Sequence, residues 1–215
     1  MEDREYMGFK ILVVGEPGVG KTSLVNRYTS GVFTEGYKST IGVDFASKNL
    51  TIVKNGKKID VELAFWDLAG QERIGTQINV FFRETNGVLC LFDVTRPDTY
   101  SMVPRWKQLI DERVTLSGNH YTPPSILIAN KIDLMCDNIA DYDLQNAGVG
   151  MGFLEVVACS IARNVGLDTA VEHLVDEMYR EYKNGTTKPV KEDKTVELGI
   201  EPEIASNGAR CGGYC

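Results

Sequence analysis

Long hydrophobic stretches are missing from this sequence, and its cysteines are few. No run approaches the roughly 18 apolar residues of a membrane-spanning helix, and residues 1–4 do not resemble a secretory leader. The five cysteines are an odd number without the paired spacing of zinc sites, which argues against a disulfide or metal framework. We therefore predict a cytosolic protein in which Cys90 and Cys159, both in apolar runs, are core thiols.

Positive charge is also in short supply. The 23 Lys and Arg residues against 30 Asp and Glu residues give a formal net charge of -7, which argues against nucleic-acid binding. The two histidines, His120 and His173, are far apart in the sequence and suggest no catalytic pair. With 43% hydrophobic residues, the 215-residue chain can bury one full core but hardly two.

The most informative segment present is Gly15-Glu16-Pro17-Gly18-Val19-Gly20-Lys21-Thr22. It follows an apolar run and precedes a helix-forming stretch, which is the setting of a phosphate-binding loop. Its glycines let backbone N–H groups approach a phosphate, and the helix start adds a positive dipole. Lys21 would supply a charge for the β- and γ-phosphates, and Thr22 a hydroxyl ligand for Mg²⁺. The predicted nucleotide-binding residues here are Gly15, Pro17, Gly18, Val19, Gly20, Lys21, Thr22 and Ser23.

A second motif, Asn130-Lys131-Ile132-Asp133, follows another apolar run and predicts which base is bound. Asp133 can accept both the N1–H and the 2-amino group of guanine in one bidentate contact. Adenine offers no such pair of donors, so the carboxylate would be left unpaired. The stem of Lys131 can cover one face of the base, and Phe33 is placed to approach its edge or its other face. Together, the two motifs predict a guanine nucleotide.

The residues for metal binding and hydrolysis are predicted in two further segments. Asp67, at the end of an alternating strand pattern, can hold Mg²⁺ through water, and Gly70 lets a backbone N–H approach the γ-phosphate. Gln71 can orient the attacking water. Thr40 lies in a polar stretch between elements, and its hydroxyl could reach Mg²⁺ only while a γ-phosphate holds that loop in. Loss of the γ-phosphate on hydrolysis would therefore change the conformation of the loop that contains Thr40.

These five elements, in this order, resemble a Ras-superfamily small GTPase. The resemblance covers about residues 9–182 and narrows to the Rab family on three patterns: Ile41-Gly42-Val43-Asp44-Phe45, Trp66-Asp67-Leu68-Ala69-Gly70-Gln71-Glu72-Arg73 and Leu91-Phe92-Asp93-Val94-Thr95. It implies a GTP-hydrolysing switch of vesicular membrane traffic, with GTP or GDP and Mg²⁺ as ligands. The implied partners are an exchange factor, a GTPase-activating protein, effectors, Rab escort protein and GDP-dissociation inhibitor.

The resemblance also implies roles for residues outside the motifs. Tyr37 stands among the nucleotide-binding positions of the family. Phe45, Trp66 and Phe81 stand where the family has an exposed aromatic triad read by effectors; the alternative is that they are core aromatics. The segments 43–46 and 117–124, together with Ala129, look like the subfamily that serves lysosome-related organelles.

Three departures from the family pattern affect what can be transferred. The ring of Pro17 fixes φ and removes an N–H beside the γ-phosphate, so hydrolysis would be slowed or reshaped. Ser160-Ile161-Ala162 replaces the usual Ser-Ala-Lys, although the Ile161 N–H could still contact the guanine oxygen. Ile74 and residues 81–85 also differ, so effector choice does not transfer. The alternative functions are a GTP-holding module with little turnover and, disfavoured by the second motif, a P-loop ATPase or kinase.

The order of elements predicts an α/β fold. We expect a mostly parallel six-stranded sheet with one antiparallel hairpin strand and helices on both faces, the P-loop small GTPase fold. The predicted strands are residues 9–14, 43–53, 59–66, 87–92, 125–129 and 153–157, and the predicted helices include residues 21–30, 101–114 and 168–182.

We divide the chain into an N-terminal extension (1–8), a GTP-binding domain (9–183) and a disordered tail (184–215). The tail is too polar to bury a core. A C-terminal box for single prenylation would need Cys at position 212, which is Gly. By resemblance, Cys215 and Cys211 are the lipidation sites that would attach the protein to the cytoplasmic face of an intracellular membrane, from which it cycles into the cytosol.

Overall fold

The computed structural model of the chain describes residues 5–34, 36, 42–68, 79–116, 119–135 and 144–188. In this part of the chain the strands are β1 (Glu5–Gly15), β2 (Val43–Lys54), β3 (Lys57–Leu68), β4 (Gly87–Asp93), β5 (Thr115–Leu116), β6 (Asn119–His120), β7 (Ser125–Asn130) and β8 (Glu155–Cys159). The helices are α1 (Lys21–Ser30), α2 (Asn79–Phe82), α3 (Pro97–Ser101), α4 (Val103–Arg113), α5 (Leu144–Gly150) and α6 (Leu167–Lys183).

Six of these strands form one sheet in the order β2-β3-β1-β4-β7-β8. Every neighbouring pair is parallel except β2 and β3, which are antiparallel. Asn55 and Gly56 connect β2 to β3 with φ angles of 52° and 75°, the positive values that a tight two-residue hairpin favours. The predicted mostly parallel sheet with one antiparallel hairpin strand is confirmed.

Two apolar clusters form the core, one on each face of the sheet. Successive residues of β1 alternate between them: Ile11 and Val13 belong to the cluster that includes α1 and α6. Leu12 and Val14 belong to the cluster that includes α4. This alternation is the two-residue period of a strand, and it places helices on both faces as predicted. Cys90 and Cys159 are both buried within these clusters, which confirms them as core thiols.

Several element boundaries differ from the predicted ones. Strand β1 begins at Glu5 rather than residue 9, because residues 5–8 continue the parallel pairing with β3 and bury Met7. The predicted helix 101–114 corresponds to α4, which begins two residues later, and a separate short helix, α3, precedes it; each of the two has a proline in its first turn. Proline suits that position because the first N–H groups of a helix have no partner within it. Strand β8 lies two residues later than predicted.

The register of the sheet brings the predicted motifs together at one edge. Val13 lies opposite Asp67, Asp93 opposite Asn130, and Asn130 opposite Cys159. Because the paired strands run in parallel, the segments that follow them leave the sheet on the same side. Ligands of open α/β sheets bind outside these carboxyl ends. The fold therefore brings segments that are far apart in the sequence together at the carboxyl ends of the strands.

Candidate functional site

The phosphate loop, residues 15–22, connects β1 to α1 through glycines that no other residue could replace without strain. At Gly15, where φ is 137°, an added Cβ would lie 2.3 Å from the Leu91 carbonyl oxygen. At Gly20, where φ is 106°, it would lie 2.5 Å from Asn130 Nδ2. Gly18 also has a positive φ, of 76°. The main chain of the loop thus lies directly against neighbouring strand ends, and Ser23, in the first turn of α1, is half-buried behind it.

Lys21 is directed back into this loop. Its ammonium group donates to the carbonyl oxygens of Gly15 at 2.8 Å and Glu16 at 3.0 Å, and the residue is only 6% exposed. Burial lowers the pKa of Lys21 to about 8, although the nearby carboxylates of Asp67 and Glu16 oppose that shift. A cation held in this way inside a bare loop is suited to a phosphate anion, which would stabilise its charged form.

Thr22 and Asp67 form a second pair of polar side chains at the same edge. The Thr22 hydroxyl donates to Asp67 Oδ2 at 2.5 Å, and Asp67 is 1% exposed. Its other oxygen, Oδ1, is buried without a hydrogen-bond partner among the described residues. Burial raises the pKa of Asp67, against the opposing effects of Thr22 and Lys21. A buried carboxylate oxygen with no partner is a candidate position for a cation.

Asn130 connects the phosphate loop to the segment that follows β8. Its Nδ2 donates to the Val19 carbonyl at 2.8 Å, and its Oδ1 accepts the Ile161 N–H at 3.2 Å. Asn130 is thus engaged by two protein segments that lie on either side of it. The Ile161 N–H, which the resemblance assigned to the guanine oxygen, is directed at Asn130 in this structure. The side chain of Ile161 is buried, with Cδ1 placed 3.6 Å from the position of a Cβ at Gly20.

The carboxylate of Asp133 is held by the segment after β8. Ser160 Oγ donates to Asp133 Oδ1 at 2.5 Å, and the same hydroxyl accepts the N–H of Arg163 at 3.1 Å. Asp133 therefore keeps a fixed orientation while one of its oxygens makes this bond. The predicted base-reading residue and the predicted segment 160–162 are neighbours in space, although 27 positions separate Ser160 from Asp133.

Lys131, which was predicted to cover the base, is anchored by a residue that the sequence analysis did not single out. Its ammonium lies 2.7 Å from Asp93 Oδ2, at the end of the neighbouring strand. Burial alone would raise the pKa of Asp93, but hydrogen bonds from Lys131 and Thr95 outweigh it and the pKa lies below its usual value. Lys131 also has a φ of 69°, an uncommon backbone conformation for a side chain of this size.

Arg27 on α1 is a second residue that sequence reasoning missed. Its guanidinium donates to the carbonyl oxygens of Ile161 at 3.2 Å and Ala162 at 2.7 Å. It also lies 5.6 Å from the ring centre of Phe33, which is half-buried. Arg27 thus fixes the segment 160–162 against α1 and places Phe33 beside it. An arginine in the middle of a helix gives no sign in the sequence of such distant partners.

Comparisons with known proteins identify the family. The model of the Ras family matches residues 10–180. The chain is 37% identical to Ras-related protein Rab-32A of Dictyostelium discoideum, over 96% of this chain and 94% of that protein. The chain belongs to the Rab proteins of the Ras family. It is also 35% identical to Rab-32 of Mus musculus, over 98% of this chain and 92% of the relative. Rab-7L1 of Mus musculus is 34% identical, over 98% of this chain and all of the relative.

Membership of the Rab family confirms the activity predicted from the sequence. The protein binds GTP and GDP with Mg²⁺, hydrolyses GTP to GDP, and is a regulatory switch of membrane traffic. The similarity to Rab-32 also fits the predicted resemblance to the subfamily of lysosome-related organelles. Family membership favours hydrolysis over the alternative of a module that holds GTP without turnover.

The residues present at the edge of the sheet fit Mg²⁺. Mg²⁺ prefers oxygen ligands, and it is usually held by one or two protein groups together with phosphate oxygens. The Thr22 hydroxyl and the unpartnered Oδ1 of Asp67 are such ligands, and both lie beside the phosphate loop. When bound there, the ion would neutralise charge on the phosphates.

The three aromatic residues at the predicted effector positions are neighbours, with Phe45 on β2, Trp66 on β3 and Phe81 on α2. The Phe45 and Trp66 rings are 4.4 Å apart and nearly perpendicular, and Trp66 lies 6.1 Å from Phe81. Phe45 is 47% exposed, whereas the other two are half-buried. Beneath them, the ammonium of Lys10 is 3.6 Å from the Trp66 ring centre and donates to the Arg83 carbonyl. We call Phe45, Trp66 and Phe81 the aromatic surface.

Several predicted site residues lie outside the part of the chain that the structure describes. They are Tyr37, Thr40, Gly70, Gln71, Cys211 and Cys215. Their proposed roles in nucleotide binding, hydrolysis and lipid attachment rest on the sequence.

Proposed function

We propose that this Rab protein binds guanine nucleotide in one continuous strip along the carboxyl edge of its sheet. The phosphates lie on residues 15–22, with Lys21 as their cationic partner. The base lies between Lys131 and the segment 160–162, where Asp133 reads it. Support comes from the contacts already described: Asn130 joins the phosphate loop to the base segment, while Ser160 orients Asp133.

The observation that supports guanine most strongly is the hydrogen bond from Ser160 to Asp133. A carboxylate fixed on one side keeps lone pairs for the N1–H and the 2-amino group of guanine. Adenine would leave that acceptor capacity unused and partly desolvated, which is a strong basis for discrimination. Ile161 contributes mainly packing against Gly20, since its N–H is already directed at Asn130.

The experiment that tests the guanine assignment is substitution of Asp133 by Asn. Asp133→Asn removes one acceptor and adds a donor, so affinity for GDP should fall while xanthosine diphosphate, which has a 2-oxo group, gains. Asp176→Asn is the matched control, because Asp176 is an exposed residue of α6 that pairs with Lys54 of β2. Binding of both diphosphates to each variant is measured by calorimetry. Equal binding of ADP and GDP by the unmodified chain would contradict the proposal.

We propose that the GTP-bound form is held by Thr22 and Asp67 together with Thr40 and Gln71. Thr22 and Asp67 contact Mg²⁺, directly or through water, and Thr40 joins them only when the γ-phosphate is present. Gln71 orients the attacking water. The aromatic surface borders the same strands, since Phe45 pairs with Trp66 in the β2–β3 register, one residue from Asp67. Effectors would therefore detect the γ-phosphate through the position of this surface, together with the segments that contain Thr40 and Gln71.

We propose that the chain is attached to the cytoplasmic face of an intracellular membrane by prenyl groups on Cys215 and Cys211. Among the residues that the structure describes, no helix has the length and apolar character needed to cross a bilayer. An exchange factor, a GTPase-activating protein, Rab escort protein and GDP-dissociation inhibitor are the proposed partners of the resulting cycle. Release of the anchored GDP form by purified GDP-dissociation inhibitor, in a vesicle-sedimentation assay, tests this cycle.

A further inference from the structure

Two side chains from the helical segment after β4 contact the first turn of the phosphate loop. Trp106 Nε1, on α4, donates to the Glu16 carboxylate at 3.0 Å. Arg96 Nη2, immediately before α3, donates to the Pro17 carbonyl at 3.0 Å. Neither donor belongs to a nucleotide-binding motif, and both are distant from the loop in sequence. The segment after β4 therefore holds the phosphate loop in place, in addition to β1 and α1, which flank the loop in the sequence.

Glu16 connects Trp106 with the phosphate-binding lysine. Its side chain accepts the indole N–H, while its main-chain carbonyl accepts the ammonium of Lys21 at 3.0 Å. Any shift of Glu16 would therefore move one of the two carbonyl oxygens that orient Lys21. The Glu16 carboxylate also favours the charged form of Lys21. Its effect is smaller than that of Asp67, and both oppose the lowering of the Lys21 pKa by burial.

Arg96 contacts the loop where proline makes it least adaptable. Pro17 has no N–H and a fixed φ, so its carbonyl direction is set by the turn and by whatever donor meets it. The Arg96 backbone is itself fixed, since its N–H donates to Asp93 and its carbonyl accepts the Thr99 hydroxyl at 2.7 Å. The guanidinium Nε lies 4.0 Å from Asp93 Oδ2, the oxygen that also pairs with Lys131.

We propose that Trp106 and Arg96 are positioning residues that keep the first turn of the phosphate loop ready for the phosphates and so prolong nucleotide residence. Each acts through the loop rather than on the nucleotide. Trp106 fixes the Glu16 side of the Lys21 site, and Arg96 fixes Pro17 and links it to the charge pair of Asp93 and Lys131. Preorganisation of this kind lowers the ordering cost of binding, and its loss is seen mainly as faster dissociation.

The test measures dissociation of a fluorescent GDP analogue from the full chain with Mg²⁺ present. Trp106→Phe keeps the aromatic ring and removes the indole donor, and Arg96→Met removes the guanidinium. Each variant should release the analogue about tenfold faster, the factor expected for one lost hydrogen bond to a charged or well-fixed group. Arg96→Lys keeps a donor and should recover part of the loss. Tyr100→Phe, which also removes one polar group from an aromatic ring nearby on α3, is the matched control.

A cycle with Glu16 separates positioning from general stability. Glu16→Gln and Glu16→Met both remove the Glu16 charge, but only Glu16→Gln retains an acceptor oxygen for Trp106, so Glu16→Met should release the analogue about tenfold faster than Glu16→Gln. The double variant Glu16→Met with Trp106→Phe should be no faster than Glu16→Met alone. Additive effects would mean that the two residues act independently, which would overturn the Trp106 part of the proposal.

Thermal unfolding of the GDP-bound variants supplies the second readout. If Trp106→Phe and Arg96→Met lower the melting temperature but leave the dissociation rate unchanged, both residues are merely structural and the proposal is wrong. If Trp106→Phe does not fold, Glu16→Met against Glu16→Gln tests the same hydrogen bond from its other end. A rate for Glu16→Met equal to that of Glu16→Gln would then overturn it.

Discussion

The ammonium group of Lys131 lies 2.7 Å from the buried carboxylate of Asp93. The two residues belong to neighbouring strand ends, since Asp93 is opposite Asn130 in the β4–β7 register. The second oxygen of Asp93 accepts both the N–H of Thr95 at 3.0 Å and its hydroxyl at 2.7 Å. Asp93 is thus fixed from one side and fixes the lysine stem on the other. It acts on the base site without belonging to the base motif.

Asp93→Asn should therefore weaken nucleotide retention. The amide cannot balance the Lys131 charge, so the stem loses its fixed position beside the proposed base site. We expect release of a fluorescent GDP analogue to be about tenfold faster, as for loss of a hydrogen bond between charged groups. Asp176→Asn removes an exposed carboxylate of α6 that pairs with Lys54 of β2, and it should leave the rate unchanged. A rate for Asp93→Asn equal to that of this control would mean that the pair has no role in retention.

The buried Lys21 predicts how nucleotide affinity depends on pH. Burial lowers its pKa to about 8, so the nucleotide-free protein loses this charge as the pH rises through that value. Because the phosphates need the charged form, affinity for GDP should fall above about pH 8 and change little below it. Titrations between about pH 6.5 and 9 measure this, in a range below the ordinary pKa of a lysine. The Lys21→Met variant should bind GDP weakly, with an affinity that does not change over this pH range. If its affinity fell with pH as steeply as that of the unmodified chain, the pH dependence would belong to another group.

The same shift has the opposite sign for stability of the nucleotide-free protein. An unfolded Lys21 keeps its proton up to about 10.5, whereas the folded one loses it near 8. Between these values the unfolded chain binds more protons, so the free energy of unfolding rises with pH. Lys10, whose pKa burial also lowers to about 8, contributes in the same direction. Urea unfolding of the nucleotide-free protein should therefore shift to a higher midpoint as the pH rises through that window.

Much of the site could be predicted because its chemistry demands particular residues at short spacing. Gly15 and Gly20 are required where an added Cβ would meet Leu91 or Asn130, and such glycines appear in the sequence as a motif. Strand ends followed by polar residues likewise indicate one edge of a parallel sheet. The mostly parallel sheet and the hairpin at Asn55-Gly56 follow from local patterns that the tertiary structure does not override.

The residues that escaped prediction all act over long sequence distances. Arg27, Arg96 and Trp106 contact loops that are 79 to 135 positions away, and nothing in their local sequence indicates these contacts. Ile161 was treated as a departure from the family, but its side chain fills space against Gly20. Residues 97–113 form two helices, each with a proline in its first turn, Pro97 in α3 and Pro104 in α4.

Gln71→Leu should slow hydrolysis. Leucine cannot orient the attacking water, and the sequence offers no recognisable arginine finger of its own, so the intrinsic rate should already be slow, on the order of 10⁻⁴ s⁻¹. We expect the variant to fall below this rate in single-turnover assays and to resist a GTPase-activating protein. Gln108→Leu is the matched control, because Gln108 is exposed on α4 and donates to Glu112. Equal rates for Gln71→Leu and the unmodified chain would exclude Gln71 from catalysis.

Membrane attachment should need both proposed lipids. From residue 184 onward the chain has four basic and five acidic residues, so it has no excess of positive charge with which to bind anionic lipid. One prenyl or acyl chain gives only reversible binding, and stable attachment needs a second signal. Cys215→Ser should therefore leave the protein cytosolic, and Cys211→Ser should leave it transiently bound. The two variants are compared by imaging and fractionation, with a Cys90→Ala variant as the buried-thiol control. A single prenyl group by intact mass, together with full membrane binding of Cys211→Ser, would show that one anchor suffices.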